Sequence, residues 1–120
     1  MAIAVGDHCF GEVPEVLLRA SGPLAGGGGS CYEEMCGILS GGMMMLGALL
    51  GRTLPTEDDE AIFALAREYR DRFRALAQHT QCQAIRDTLP EKEKRCEPIV
   101  VAAVRILVEM LETRGVQPQA

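Results

Sequence analysis

Five cysteines carry most of the chemistry open to this 120-residue chain: Cys9, Cys31, Cys36, Cys82 and Cys96. Thiols can ligate a metal or an iron–sulfur cluster, cycle between dithiol and disulfide, or simply pack as small apolar groups. An odd count leaves at least one out of any set of pairs. No two are spaced Cys-x-x-Cys, so a zinc ribbon or a thioredoxin-type site has no support, and no Cys-x-x-Cys-His is present for covalent haem. His8 and His79 read as surface residues. No Ser-His-Asp, His-Glu-x-x-His or phosphate-loop pattern occurs, and the run of four glycines ending at Ser30 lacks the lysine that phosphate binding requires.

Position along the chain separates the thiols. Cys36 falls in the first turn of an apolar helix. Cys96 stands two residues before Pro98, at a helix start, and Cys82 lies near the beginning of a short helix. The amide groups and dipole of a helix N-terminus stabilise a thiolate, and Lys92, Lys94 and Arg95 add positive charge next to Cys96. Cys31 and Cys36 are five apart. On a continuous helix they would point to different faces, so they converge only if Cys31 belongs to the glycine loop. Cys36 and Cys96 are the leading reactive or ligating thiols and Cys82 follows by the same logic. The bland alternative, that each cysteine is a buried hydrophobe, stays beside this reading.

The elements that must position these residues are helical. Residues 14–21 read as a short helix with Pro14 at its first turn. Residues 22–30, with four successive glycines, exclude regular structure. Residues 33–51 read as a helix whose interior glycines each cost about 1 kcal/mol against alanine. Gly37 with Gly41, and Gly47 with Gly51, are four apart on one face, and close backbone packing is the expected compensation. A long helix spans 57–78, with Thr56 as its cap and Ile62, Leu65, Tyr69, Phe73 and Leu76 as its apolar face. A short helix at 81–89 follows, then a turn at Pro90 and the charged residues 91–95. The last helix opens at Pro98, buries Val101, Val104, Leu107, Val108 and Leu111, and stops at Gly115. The fold expected is all-α, a small bundle of about five helices in a single domain over 1–120, with 113–120 as a frayed tail.

Composition excludes several functions. A net charge of −5 with no basic block argues against nucleic-acid binding, and 4% aromatics with no tryptophan gives no platform for stacking bases. The uncharged run Met35 to Gly51 is 17 residues, at the lower edge of a membrane span. It is diluted by five glycines and a serine and has no aromatic anchors, so a buried bundle helix is the better reading. The N-terminus has no basic segment followed by a long apolar one, so no signal peptide is expected and the chain is assigned to the cytoplasm, where permanent disulfides are not the default.

The ordered set of residues resembles a known family. The glycine loop and the segment Ser30–Gly51, then Arg67–Leu76, then Cys82 and Cys96, are similar to the bacterial and archaeal redox-active proteins named for four cysteines and a C-G-A-x-x-G motif (C_GCAxxG_C_C). The motif reads Cys36-Gly37-Ile38-Leu39-Ser40-Gly41 in this chain, with isoleucine in place of the usual alanine. The resemblance covers residues 13–112. It implies a small helical domain whose cysteines bind an iron–sulfur cluster or cycle as redox thiols, with Cys36, Cys82 and Cys96 as three of the family's four. The fourth lies in a helix well upstream of the loop. Ungapped alignment of the loops puts it before Met1, so either the chain start is shortened or Cys9 takes the role, with Cys31 in reserve. A missing N-terminal helix would expose apolar surface and favour a homodimer.

The expectation is an electron-transfer protein with a cluster on Cys36, Cys82, Cys96 and Cys9, serving a redox partner protein. A metal-free thiol–disulfide protein and a non-catalytic helical interaction module are the alternatives.

Overall fold

Apolar residues recurring every three to four positions dictate helices packed on helices, and the computed structural model, which describes residues 1–91 and 96–116, is built that way. The chain forms α1 (Ala2–Phe10), α2 (Glu15–Ser21), α3 (Gly37–Leu50), α4 (Glu60–Ala77), α5 (Cys82–Asp87) and α6 (Glu97–Thr113). A 3-10 turn, Gly22–Leu24, extends α2. Among the described residues there is no strand, only an isolated antiparallel bridge between Met35 and Gln81. The fold is all-α. No helix of the described residues is long and apolar enough to cross a membrane.

The core lies where α3, α4 and α6 pack pairwise, with α1 laid against α3 and α6. Leu39, Met45 and Leu46 of α3 meet Tyr69 and Phe73 of α4, Leu107 and Leu111 of α6, and Val5 of α1, all wholly buried. This crowding explains why α3 carries no charge: partners cover several of its sides, so no stripe of it faces water continuously.

The glycines of α3 do not act as one set. A Cβ on Gly37 would stand 2.7 Å from the Leu24 carbonyl oxygen, and one on Gly42 would enter the Tyr69 ring. These two are close approaches. Gly41 would meet only Met1 at ordinary contact distance, and Gly47 would meet nothing within 4 Å. The expected close packing at Gly47 is therefore absent. Tyr69 uses the space at Gly42 to donate a hydrogen bond from its hydroxyl to the Ile38 carbonyl at 2.8 Å.

Several boundaries differ from expectation for identifiable reasons. α3 starts at Gly37, not residue 33, because 33–36 pair with the chain before α5 instead of coiling. The N-cap position of α4 is Asp59, not Thr56, with no side-chain cap hydrogen bond, and Arg52 from the preceding loop ion-pairs with Asp59 at 3.3 Å. On α6 the buried face is Ala103, Leu107, Met110 and Leu111, while Val101 is 45% exposed. α1 was expected nowhere. It buries Ala2, Val5, Gly6 and Cys9, a helical spacing hidden by Gly6 at its centre. A side chain at Gly6 would collide with Val13, whose apolar group occupies that place.

Candidate functional site

Three cysteines stand at the starts of three helices and face one cavity. Cys36 is the N-cap of α3, Cys82 is the first residue of α5, and Cys96 is the N-cap of α6. All three line a cavity of about 410 Å³, together with Gly26, Tyr32 and Arg86. Cys36 and Cys82 are buried and Cys96 is half-buried. Cys96 holds a left-handed backbone, φ 62°, which a non-glycine residue adopts only when its surroundings enforce it.

Backbone pairing locks the first two thiols together. The Cys36 amide donates to the Thr80 carbonyl at 2.7 Å, and the Cys82 amide donates to the Glu34 carbonyl at 2.9 Å. The Gln83 amide donates to the Tyr32 carbonyl at 2.8 Å, and the Gln81 side chain donates to the Glu33 carbonyl at 3.0 Å. The segments before α3 and α5 are thus a clamp, and each ends in a cysteine.

The glycine loop closes over this clamp. Gly26, Gly27, Gly28 and Gly29 all take positive φ, which costs glycine little and other residues about 1–2 kcal/mol each. At Gly27 the conformation also permits contact: a Cβ there would lie 2.7 Å from the Cys82 Cβ and 3.1 Å from the Glu34 carbonyl oxygen. Gly37 provides the matching approach from the other side, against Leu24 and Ala25.

Charge at the site follows from burial and from mutual repulsion. Burial pushes the Cys36 thiol above its ordinary value, and negative charge on Cys96 adds to the rise. The Ile38 and Leu39 amides pull the other way, although they fall short of a fully formed cap hydrogen bond. Burial likewise raises Cys82, followed by charge on Cys36 and on Cys96, while the Arg86 guanidinium opposes it. Arg86 lies 4.4 Å from the centre of the Tyr32 ring, a cation–π contact at the cavity wall. Tyr69, beneath Cys36, is pushed up by burial and by charge on Cys36.

The other candidates lie elsewhere. Cys9 is buried in α1 and is not among the residues lining the cavity. Burial raises its thiol, and the charge of Glu112, at the far end of α6, raises it further. Neighbouring His8 sits 3.2 Å from that same carboxylate. Cys31 belongs to the glycine loop, the placement that convergence with the other thiols requires, and it is exposed. Its thiol lies 3.2 Å from the Gly28 carbonyl oxygen and 3.5 Å from that of Gly27, and charge on Cys31 also raises Cys82. His79 is exposed. Lys92, Lys94 and Arg95, expected beside Cys96, lie outside the described residues. Arg86 and Tyr32 were not anticipated. Arg86 was findable, because it lies four residues after Cys82 on the same helix face.

A family model described as "Putative redox-active protein (C_GCAxxG_C_C)" matches residues 1–110. The chain belongs to that family. The match begins at residue 1 and so takes in α1, which the resemblance starting at residue 13 had left out. No curated protein and no solved structure matches the chain. The family's C-G-A-x-x-G motif is the start of α3: its cysteine is the helix cap on the cavity, and its first glycine is the contact with the loop.

Proposed function

We propose that this member of the redox-active family is an electron-transfer protein whose centre is built on Cys36, Cys82 and Cys96. The observation that carries the reading is their arrangement: three thiols from three separate helix starts on the wall of one cavity. Buried cysteines that merely fill space have no reason to converge at helix ends.

The donors are thiols, the usual ligands of an iron–sulfur cluster. Among the described residues no three His, Cys, Asp or Glu side chains are placed to hold one metal ion. Cys36, Cys82 and Cys96 line one cavity and would be the residues that hold a cluster there. When bound, such a cluster supplies one-electron transfer between a reduced and an oxidised partner protein. The chain's own residues prepare its place. Burial of Cys36 and Cys82 excludes water, the amides after Cys36 are aimed to stabilise its thiolate, and Arg86 offsets negative charge beside Cys82. Cys36 and Cys82, whose ionisation is opposed by negative charge on the neighbouring thiols, would hold such a cluster as thiolates.

Anaerobic purification or reconstitution with ferrous iron and sulfide tests the proposal. The expected product is coloured, with iron and acid-labile sulfide bound, and Cys36→Ser loses both. A colourless, metal-free protein after reconstitution refutes the cluster. If such a protein reversibly loses two thiols to an added disulfide reagent, the centre is a dithiol instead, two S–H groups yielding two protons and two electrons. An interaction module is indicated if replacing all five cysteines by Ala or Ser changes nothing.

A further inference from the structure

We infer that Cys31, from the glycine loop, supplies the fourth thiolate of the centre formed by Cys36, Cys82 and Cys96. The inference rests on the reading above and deepens it, since four thiolates are the usual complement of a cluster.

Two placements decide between Cys31 and Cys9. Cys9 packs where it feels Glu112, and Glu112 stands sixteen positions beyond Cys96 along α6. That is about 24 Å of helix at the usual rise of about 1.5 Å per residue. Cys9 is also held in the core by α1, which reaches the cavity only through Met1 and Ala2, two turns earlier. Bringing Cys9 to Cys96 would require unfolding α1 and opening the core.

Cys31 is separated from Cys82 by one glycine. Gly27 lies against the Cys82 side chain so closely that a Cβ there would stand 2.7 Å from the Cys82 Cβ, and the carbonyl of that same Gly27 is 3.5 Å from the Cys31 sulfur. Ser30 and Tyr32, on either side of Cys31, line the cavity; Cys31 itself, like Cys9, is not among the lining residues, and its approach is to Cys82 through Gly27. The Gln83 amide fixes the Tyr32 carbonyl at 2.8 Å, so the chain just after Cys31 is tied to α5 next to Cys82. The Cys31 thiol makes weak contacts with the Gly27 and Gly28 carbonyls. Ligation breaks its S–H bond, forms a sulfur–iron bond and releases the proton to solvent, to which Cys31 is open. The ligand set then joins one exposed loop thiol to three from helix starts.

The test is reconstitution of the full chain with ferrous iron and sulfide, comparing wild type with Cys31→Ala, Cys9→Ala and Cys36→Ala. Circular dichroism checks that each is folded. Losing a direct ligand should cost at least what losing an outer partner does, about 10–100-fold in affinity. Cys31→Ala and Cys36→Ala should therefore lose iron, sulfide and visible absorption together, and Cys9→Ala should keep them. Cluster loading should also shield Cys31 from iodoacetamide. The inference is overturned if Cys31→Ala loads fully while Cys36→Ala does not, a result that leaves the centre itself standing. It is equally overturned if folded Cys9→Ala fails to load, or if Cys31 alkylates in loaded protein without loss of colour. A wild-type chain that takes up no cluster overturns both the inference and the reading beneath it.

Discussion

Replacing the two glycines of the family motif by alanine should have opposite effects. A Cβ on Gly37 would lie 2.7 Å from the Leu24 carbonyl oxygen and 3.0 Å from the Ala25 Cα. Both are backbone atoms, so no rotamer change relieves the contact. Restoring van der Waals distance requires the loop and the helix start to part by roughly 0.7 Å. Overpacking of this kind costs about 1–3 kcal/mol, set against a helix-propensity gain of at most about 1 kcal/mol. Gly37→Ala should therefore lose about 1–2 kcal/mol. At Gly41 a Cβ would meet only Met1 side-chain atoms at 3.6 and 3.8 Å, so Gly41→Ala should be neutral or gain up to about 1 kcal/mol. Urea unfolding of the reduced protein, with a slope of about 1–3 kcal/mol per M, should separate the two midpoints by about 1 M. Because the loop that Gly37 contacts also covers Cys82, Gly37→Ala should also speed the reaction of Cys36 and Cys82 with a thiol reagent. Equal midpoints for the two variants, or a more stable Gly37→Ala, would refute the close-approach account of the motif.

Further outcomes follow from the same structure. Cys36 and Cys82 are raised above 9.0 by burial first, so the folded state holds their protons longer than the unfolded one. Stability of the reduced, metal-free protein should then be insensitive to these groups below about pH 8 and fall as pH rises past 9.0, with Tyr69 adding to the fall beyond 10.0. Chemical denaturation at pH 8 and pH 10 measures this, and Cys82→Ala should flatten the decline. Iodoacetamide under native, metal-free conditions should label exposed Cys31 well before buried Cys9, Cys36 and Cys82, as read by peptide mass mapping. Gly47→Ala, in open space, should add about 0.5–1 kcal/mol. Gly42→Ala, directed into the Tyr69 ring, should lose about 1–3 kcal/mol, and the two thermal unfolding curves should move in opposite directions.

Local signals made much of the site legible. Pro98 after Cys96 and the apolar run after Cys36 each mark a helix start, so the positions of these thiols could be read from neighbours in sequence. The apolar spacing of Leu65, Tyr69 and Phe73 likewise exposed the core face of α4. What stayed hidden depends on partners distant in the chain. α1 was obscured because Gly6, which looks like a breaker, is instead the place where Val13 packs. The N-cap position of α4 moved to Asp59, which Arg52 reaches from the preceding loop. The absence of Cys9 from the cavity wall depends on how α1 packs against α3 and α6, and the approach of Cys31 to Cys82 depends on Gly27, which contacts both. Neither has a periodic signature.

The central claim, that Cys36, Cys82 and Cys96 act as one centre, is tested most directly by three single variants. Cys36→Ala, Cys82→Ala and Cys96→Ala are reconstituted in parallel with wild type, and iron and acid-labile sulfide are counted per folded chain. The account predicts a loaded wild type and comparable loss in all three variants. Full loading of any one of them, with the other two empty, would remove that cysteine from the centre and contradict the claim.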